Sequence, residues 1–403
     1  MNAENRINWL GLFVLFFLAG CGGGWELAHF TVREKDGLAR HKEYVEAYFT
    51  LADPDNPPVG VCMISGTEKG HTSVQFRQTA DNPAVVQVVF PVAISANGIR
   101  HVSLVACSDT VHAGYGTLET KTEDSVFSVS NSYFLADLGS KTDIPGRNYP
   151  VGHLTALILK EFDNQRIQRS GMKIHWSPNF AKENTPYTTM AHMEPEKMDV
   201  FNGKYMTRIE KSGTAPGYGE IGLAGEYVFY DSLPYFLFSS EMTFRQSVVL
   251  NLLRNDEMTM DSLFTHLSFR REGGEVETMP LYHDSTFAYL ENHHIEENAP
   301  WLFFFHESAG YAFGVIRVDE DYTNTRGDLS PLYEAHTKIT QSASNGRYWN
   351  RRLIHDHPLE VPEGSRYYEK NAYVVFQYIP EESAAYMDSL GEILMHPLHA
   401  EIN

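Results

Sequence analysis

Cysteine is scarce in this chain: only 3 of 403 residues, at positions 21, 62 and 107. That excludes a disulfide-dense scaffold, and without a Cys-x-x-Cys pair or a Cys/His cluster there is no structural zinc motif. Basic residues are also in short supply, with 32 Lys and Arg against 52 Asp and Glu and a formal charge of −20. Such a field repels nucleic acid and anionic lipid at long range, so no nucleic-acid partner is expected. The chain has no Gly-x-Ser-x-Gly elbow, no phosphate-cradling glycine loop ahead of a Lys-Ser/Thr pair, no dinucleotide fingerprint and no His-Glu-x-x-His. Esterase, ATPase and dehydrogenase readings therefore drop out, and neither a cofactor nor a metal is expected. Long amphipathic helices are scarce, and no repeat of fixed period is visible, the latter arguing against a propeller.

What the chain has in quantity is aromatic surface. Its 24 Phe and 22 Tyr lie in a sequence that is 42% hydrophobic and 21% charged, the balance of a folded protein. Most of them fall in short runs of period-two alternation bounded by turn residues. Examples are Tyr44 to Leu51, Val85 to Phe90, Val102 to Ala106, Glu226 to Tyr230, Tyr235 to Phe238, Thr243 to Leu250, Trp301 to Phe305, Tyr311 to Ile316 and Ala372 to Tyr378. These read as strands. Short helices are expected only from Thr259 to Phe269 and from about Glu381 to Met395, where apolar residues recur at roughly helical spacing. Many strands with no helices between them imply an antiparallel all-β body, a large β-sandwich occupying residues 25–403 as one domain.

The first 20 residues have a different character. Arg6 precedes the apolar run Trp9 to Leu18, which is too short to cross a membrane as a helix and ends in Ala19-Gly20-Cys21. This resembles the leader of bacterial lipoproteins. The resemblance implies cleavage before Cys21, lipid on Cys21, a glycine tether over residues 21–24 and a membrane-anchored location in the cell envelope. In that oxidising compartment Cys62 and Cys107 are expected to pair, two buried thiols being the alternative; a bridge would contribute on the order of 3–4 kcal/mol.

The texture of the body is similar to the β-supersandwich of galactose-mutarotase-like and polysaccharide-lyase proteins, and the stretch Gly37 to Glu46 is similar to the opening strand of several such secreted proteins. The resemblance implies a carbohydrate-active protein with a polysaccharide or oligosaccharide partner, but it carries over no catalytic residue. Candidate residues come instead from polar groups set among aromatics. His175, Trp176 and Asn179, continued by Tyr187 and His192, combine a titratable group, a stacking face and an amide. Arg254, Asn255, Asp256 and Glu257 follow an apolar strand, with His266 beyond. In a lyase, Arg254 and Asn255 would neutralise a uronic carboxylate while His175 or Tyr187 abstracted the C5 proton. In a glycoside hydrolase, Asp256 or Glu257 would act with Glu307 or Glu369 across a cleft. A non-catalytic glycan-binding protein would use the same aromatics as a platform. His306 and Arg366 are further substrate-binding candidates, and the His355-Asp356-His357-Pro358 stretch reads as a loop rather than a metal site.

Overall fold

In the computed structural model, residues 26–65, 71–107, 118–123, 126–139, 152–169, 172–341 and 345–403 are described. The leader and Cys21 lie outside them. The architecture is all-β, with antiparallel sheets and, among the described residues, two α-helices. No helix there is long and apolar enough to cross a membrane.

Two sandwiches share the chain. The smaller packs a five-stranded sheet, ordered His399–Ile402, Glu26–Arg33, Ile99–Cys107, Gly60–Ser65 and Thr72–Ser73, on the three strands Arg40–Thr50, Val85–Ile94 and Gln75–Gln78. Its core contains Phe30, Val32, Phe49, Val88, Phe90 and Leu104. Cys62 and Cys107 are bonded across adjacent strands of the five-stranded sheet, with Cα atoms 5.8 Å apart.

The larger sandwich is built on a nine-stranded sheet, ordered Glu194–Asn202, Met206–Ala215, Tyr218–Tyr230, Tyr235–Phe244, Arg366–Gln377, Tyr311–Asp321, Trp301–Phe305, His266–Arg270 and Val276–Pro280. Its inner face packs on a seven-stranded sheet that includes Asn179–Lys182, Val248–Thr259, Arg347–Ile354 and His336–Gln341, and on a five-stranded sheet spanning Glu119 to Gln168. Alternation determines which residues meet there: Tyr227, Phe229, Phe236, Phe313 and Tyr373 point in, and Leu253, Met258 and Trp349 meet them from the facing sheet.

The outer face of the nine-stranded sheet is half covered. Tyr205, Val228, Tyr235, Phe303 and Val374 join Met387 and Leu390 of the helix Ser383–Met395, together with Val89 of the small sandwich, in a third cluster. The strand Trp301–Phe305 is buried at all five positions because both of its faces are covered: Leu302 and Phe304 face the inner core, and Trp301, Phe303 and Phe305 this third one. The uncovered half of that face is polar.

One element differs from expectation. The stretch from Thr259 to Phe269 forms no helix: the strand Val248–Thr259 ends there, and His266–Arg270 pairs with Trp301–Phe305. The near-helical spacing of Met260, Phe264 and Leu267 comes from a chain passing between two sheets, where pairing with the wholly buried strand Trp301–Phe305 outweighs local periodicity.

Candidate functional site

The two polar stretches singled out in the sequence do meet. Asn179 lies opposite Arg254 on paired strands, His175 bridges Met258, and the Trp176 amide donates to the Glu257 carbonyl at 3.1 Å. Paired residues share a face of the sheet, so Asn179 lies on the side of Arg254 while His175 turns with Met258 into the core, which parts the histidine from the arginine.

His175 points inward and is fully buried. Its Nδ1 lies 2.6 Å from Tyr227 Oη and its Nε2 3.2 Å from Tyr373 Oη. Tyr373 in turn donates to Asp256 Oδ1 at 2.8 Å, and Trp349 Nε1 donates to Asp256 Oδ2 at 2.9 Å. His153 stacks on His175 and sits 3.2 Å from Lys211 Nζ. Burial, helped by the Lys211 charge, lowers the His175 imidazole to about 3. Burial, with Glu369 adding to it, raises Asp256 to about 7. This network is an inter-sheet connector: a neutral ring with no exposed atom reaches no sugar, and the catalytic assignment of His175 is withdrawn.

On the outer face of the seven-stranded sheet, Arg254 Nη1 pairs with Glu257 Oε2 at 2.8 Å. Glu257 is almost wholly buried beneath that arginine, which keeps its carboxylate out of reach of a ligand. Asn255 is buried with both amide atoms unpartnered among the described residues, so it cannot offer its amide to a sugar. Tyr187 keeps 39% of its surface exposed, but burial of its oxygen end and the Glu257 charge hold the phenol well above its ordinary range, unsuited to proton abstraction. Trp176 is 9% exposed, with Lys173 Nζ 4.2 Å and Arg169 Cζ 5.1 Å from its ring centroid, so its face is occupied by cations. Asn179 is buried, and His192 Nε2 lies 3.2 Å from Lys173 Nζ.

The remaining candidates are scattered. His266 stacks on Phe305 at a strand start, and His306 and Glu307 lie in the turn after Trp301–Phe305. Glu369 is buried and bonded to Arg351 and Asn371 within the sandwich. His355 and His357 follow the strand Arg347–Ile354, and among the described residues no group of three His, Cys, Asp or Glu side chains is placed to hold a metal ion.

Arg366 is the exception: it binds Glu241, which with Lys197, Asp199, Glu210, Ser212, Glu226, Ser239 and Tyr368 helps to line a cleft of about 390 Å³ on the uncovered outer half of the nine-stranded sheet. Strand register assembles it. Asp199 pairs with Glu210, Glu210 with Glu226, Glu226 with Ser239 and Ser239 with Lys370, a row across five strands. Glu226 is hydrogen-bonded to Glu210, and burial followed by the Glu210 charge raises its carboxyl above the usual range, the nearby Arg208 opposing. Arg208 Nε lies 3.0 Å from Glu226, while its Nη2 reaches Glu46 of the small sandwich at 2.7 Å. Glu241 accepts from Arg366 Nε and Nη2 at 2.8 and 2.6 Å. It lies opposite Ala224, two positions along from Glu226, a diagonal that separates such residues by about 7–8 Å. A carboxyl that holds its proton more tightly than usual, beside a second carboxylate held by an arginine on the same face, can offer an acid and a base to a bound ligand. None of Asp199, Glu210, Glu226 and Glu241 stood out in the sequence, because each occupies an outward position of an alternating strand and resembles a solvated face.

No family model matches the sequence, and neither does any curated protein. Solved structures do share the fold. An α-mannosidase from Enterococcus faecalis V583 superposes with a TM-score of 0.54 at 11% identity, over 93% of this chain and 46% of that one. A protein in glycosyl hydrolase family 38 from Enterococcus faecalis gives a TM-score of 0.52 at 10% identity, over 93% of this chain and 47% of that one. The chain therefore spans about half the length of these proteins, and what the likeness shows is the shared arrangement of sheets.

Proposed function

We propose that this protein acts on carbohydrate as a glycoside hydrolase, with Glu226 as general acid and Glu241 as the opposing carboxylate that activates water. The observation that carries the reading is the cleft itself, where Glu226, its carboxyl raised by burial, and the arginine-held Glu241 lie diagonally on adjacent strands and face the same side. Ser212, Ser239 and Tyr368 supply hydroxyls and one aromatic surface of the kind a sugar site uses. The names of the two similar structures, a mannosidase and a family 38 glycosyl hydrolase, agree with a carbohydrate substrate.

β-Elimination is the weaker reading. Its proton-abstracting candidates are unsuited, His175 being fully buried and the Tyr187 phenol held well above its ordinary range, and the cleft lining carries four acidic residues against two lysines, a balance unfavourable to a uronate. A neutral glycan suits the cleft better. A second reading, glycan binding without turnover, draws on the fact that the chain spans less than half of each similar structure.

The test is a panel of neutral and acidic oligosaccharides scored for new reducing ends and for ultraviolet absorbance of an unsaturated product. Reducing ends without absorbance, abolished by Glu226→Gln and by Glu241→Gln, support hydrolysis. Absorbance restores the lyase, and binding with neither signal leaves the binder. We also propose that lipid on Cys21 holds the protein at the cell envelope, a reading supported by the leader and consistent with the Cys62–Cys107 bond.

A further inference from the structure

The outer face of the seven-stranded sheet, on the far side of the sandwich from the cleft, carries a feature that packing does not explain. Arg254 on Val248–Thr259 lies directly opposite Arg352 on Arg347–Ile354, and Arg352 lies opposite His336 on the next strand. Like charges facing each other across strands destabilise a sheet, and partial burial increases that cost. Both arginine side chains are largely buried, 14% and 6% exposed. A chain of net charge −20 has nevertheless placed two cations side by side.

Their bonding is incomplete. Arg254 spends Nη1 on Glu257, and its buried Nε has no partner. Arg352 gives Nε to Asn350 at 2.7 Å and Nη1 to His355 Nδ1 at 2.5 Å. Its one carboxylate contact, at 3.1 Å, is with Asp356, whose side chain is 65% exposed and whose residue sits in a turn at φ 43°. His336 is buried with Nδ1 2.7 Å from the Glu334 carbonyl and Nε2 unpartnered among the described residues. The Glu257 side chain is buried, whereas that of Asp356 is mostly exposed and contacts only Arg352 and His355 among the described residues. Lifting Asp356 away leaves an uncompensated positive charge beside a planar guanidinium suited to a carboxylate or sulfate.

We propose that Arg254 and Arg352 form a subsite for the acidic group of a saccharide, carboxylate or sulfate ester, and that the Asp356 carboxylate occupies this subsite in the free protein. The site is separate from the cleft. Only the choice of a saccharide as carrier rests on the carbohydrate reading.

Calorimetric titration with a galacturonic acid trisaccharide, a neutral trisaccharide and inorganic sulfate tests the proposal without relying on turnover. The acidic trisaccharide should bind the wild-type chain, lose about tenfold or more in affinity in Arg352→Gln and in Arg254→Gln, and gain severalfold in Asp356→Asn, where the internal competitor is neutral. Arg352→Lys should restore only part, since an ammonium cannot make the paired contact. Asp356 is exposed, so Asp356→Asn reports even if an arginine variant folds poorly. Glu226→Gln should leave this binding unchanged, which separates its failure from failure of the hydrolase reading. Absence of binding by the acidic trisaccharide, or affinity indifferent to both arginines and to Asp356, overturns the proposal; sulfate binding as tightly as the trisaccharide overturns the assignment to a saccharide.

Discussion

Tyr373, on the nine-stranded sheet, donates its phenolic hydrogen to Asp256 on the sheet packed against it, at 2.8 Å. Trp349 occupies the other carboxylate oxygen and Tyr373 also approaches His175, so one buried acid organises a polar chain through an otherwise apolar interior. Such a network is stable only when every member is satisfied, which accounts for the aromatic hydroxyls around it.

The first prediction concerns that acid. Asp256 has its carboxyl raised to about 7 in the fold by burial and by Glu369, against an ordinary value of 3.8. Between those values the folded state binds the extra proton, so this group's contribution to stability is complete below about pH 4 and is lost as pH rises through 7. Asp256→Asn reproduces the protonated form, with an amide able to donate to Tyr373. Its unfolding free energy should match wild type near pH 4 and exceed it by a growing margin up to about pH 7, as denaturant titrations across that interval would show. A constant difference across that range would exclude a shifted Asp256.

Lys211 gives the opposite slope. Burial, with Lys173 adding to it, lowers its amine to about 7 from 10.5. The unfolded chain then binds the extra proton between those values, and stability rises with pH from about 7 to 10. Lys211→Met removes the titration at the cost of one contact with His153. Wild type should therefore gain on the variant as pH rises over that interval, as measured by parallel melts; parallel curves would count against a buried neutral amine.

How much of this was legible follows from individual residues. The strands around Tyr227, Phe236 and Tyr373 declare themselves by alternation, and the all-β sandwich follows. His175 and Trp176 looked like a sugar site because a histidine beside a tryptophan and an amide reads the same in a loop as at a sheet edge turned inward. Only the register decides: His175, opposite Met258, turns into the core, while Asn179, opposite Arg254, shares the arginine's face. The cleft was illegible for the converse reason. Glu210, Glu226 and Glu241 are far enough apart in sequence to look like three unrelated solvated positions, and the register that sets Glu210 beside Glu226 is a property of strand order.

The Cys62–Cys107 bond closes a separation of 45 residues in the small sandwich. Cys62→Ala with Cys107→Ala should cost about 4 kcal/mol by the loop-entropy estimate. Because the helix Ser383–Met395 and Val89 join this sandwich to the larger one, the loss should lower the thermal midpoint of the whole chain. A separate early transition confined to the small sandwich would show that the third cluster does not couple the two.

In the cleft, Glu226→Gln and Glu241→Gln should each reduce turnover of a neutral glycan by about 10²–10⁴, the range for loss of a general acid or base, with the thermal midpoint within a few degrees of wild type. Equal activity in either variant would remove that residue from the mechanism.

Glu210 provides the finer test, because it acts on the reaction only through its neighbour. Burial raises the Glu226 carboxyl above its usual range, and the charge and hydrogen bond of Glu210 add to it. As pH rises, turnover should fall when the general acid loses its proton, so the falling limb of the pH–rate profile follows the Glu226 carboxyl. Glu210→Gln removes a negative charge beside that carboxyl and lets it ionise earlier. The falling limb should move to lower pH while the rate at its optimum stays within about tenfold of wild type. A limb that stays put while the rate drops would make Glu210 a direct participant. A rate and limb both unchanged would show that the raised acid is not Glu226, and the general-acid assignment would pass to another carboxyl of the row.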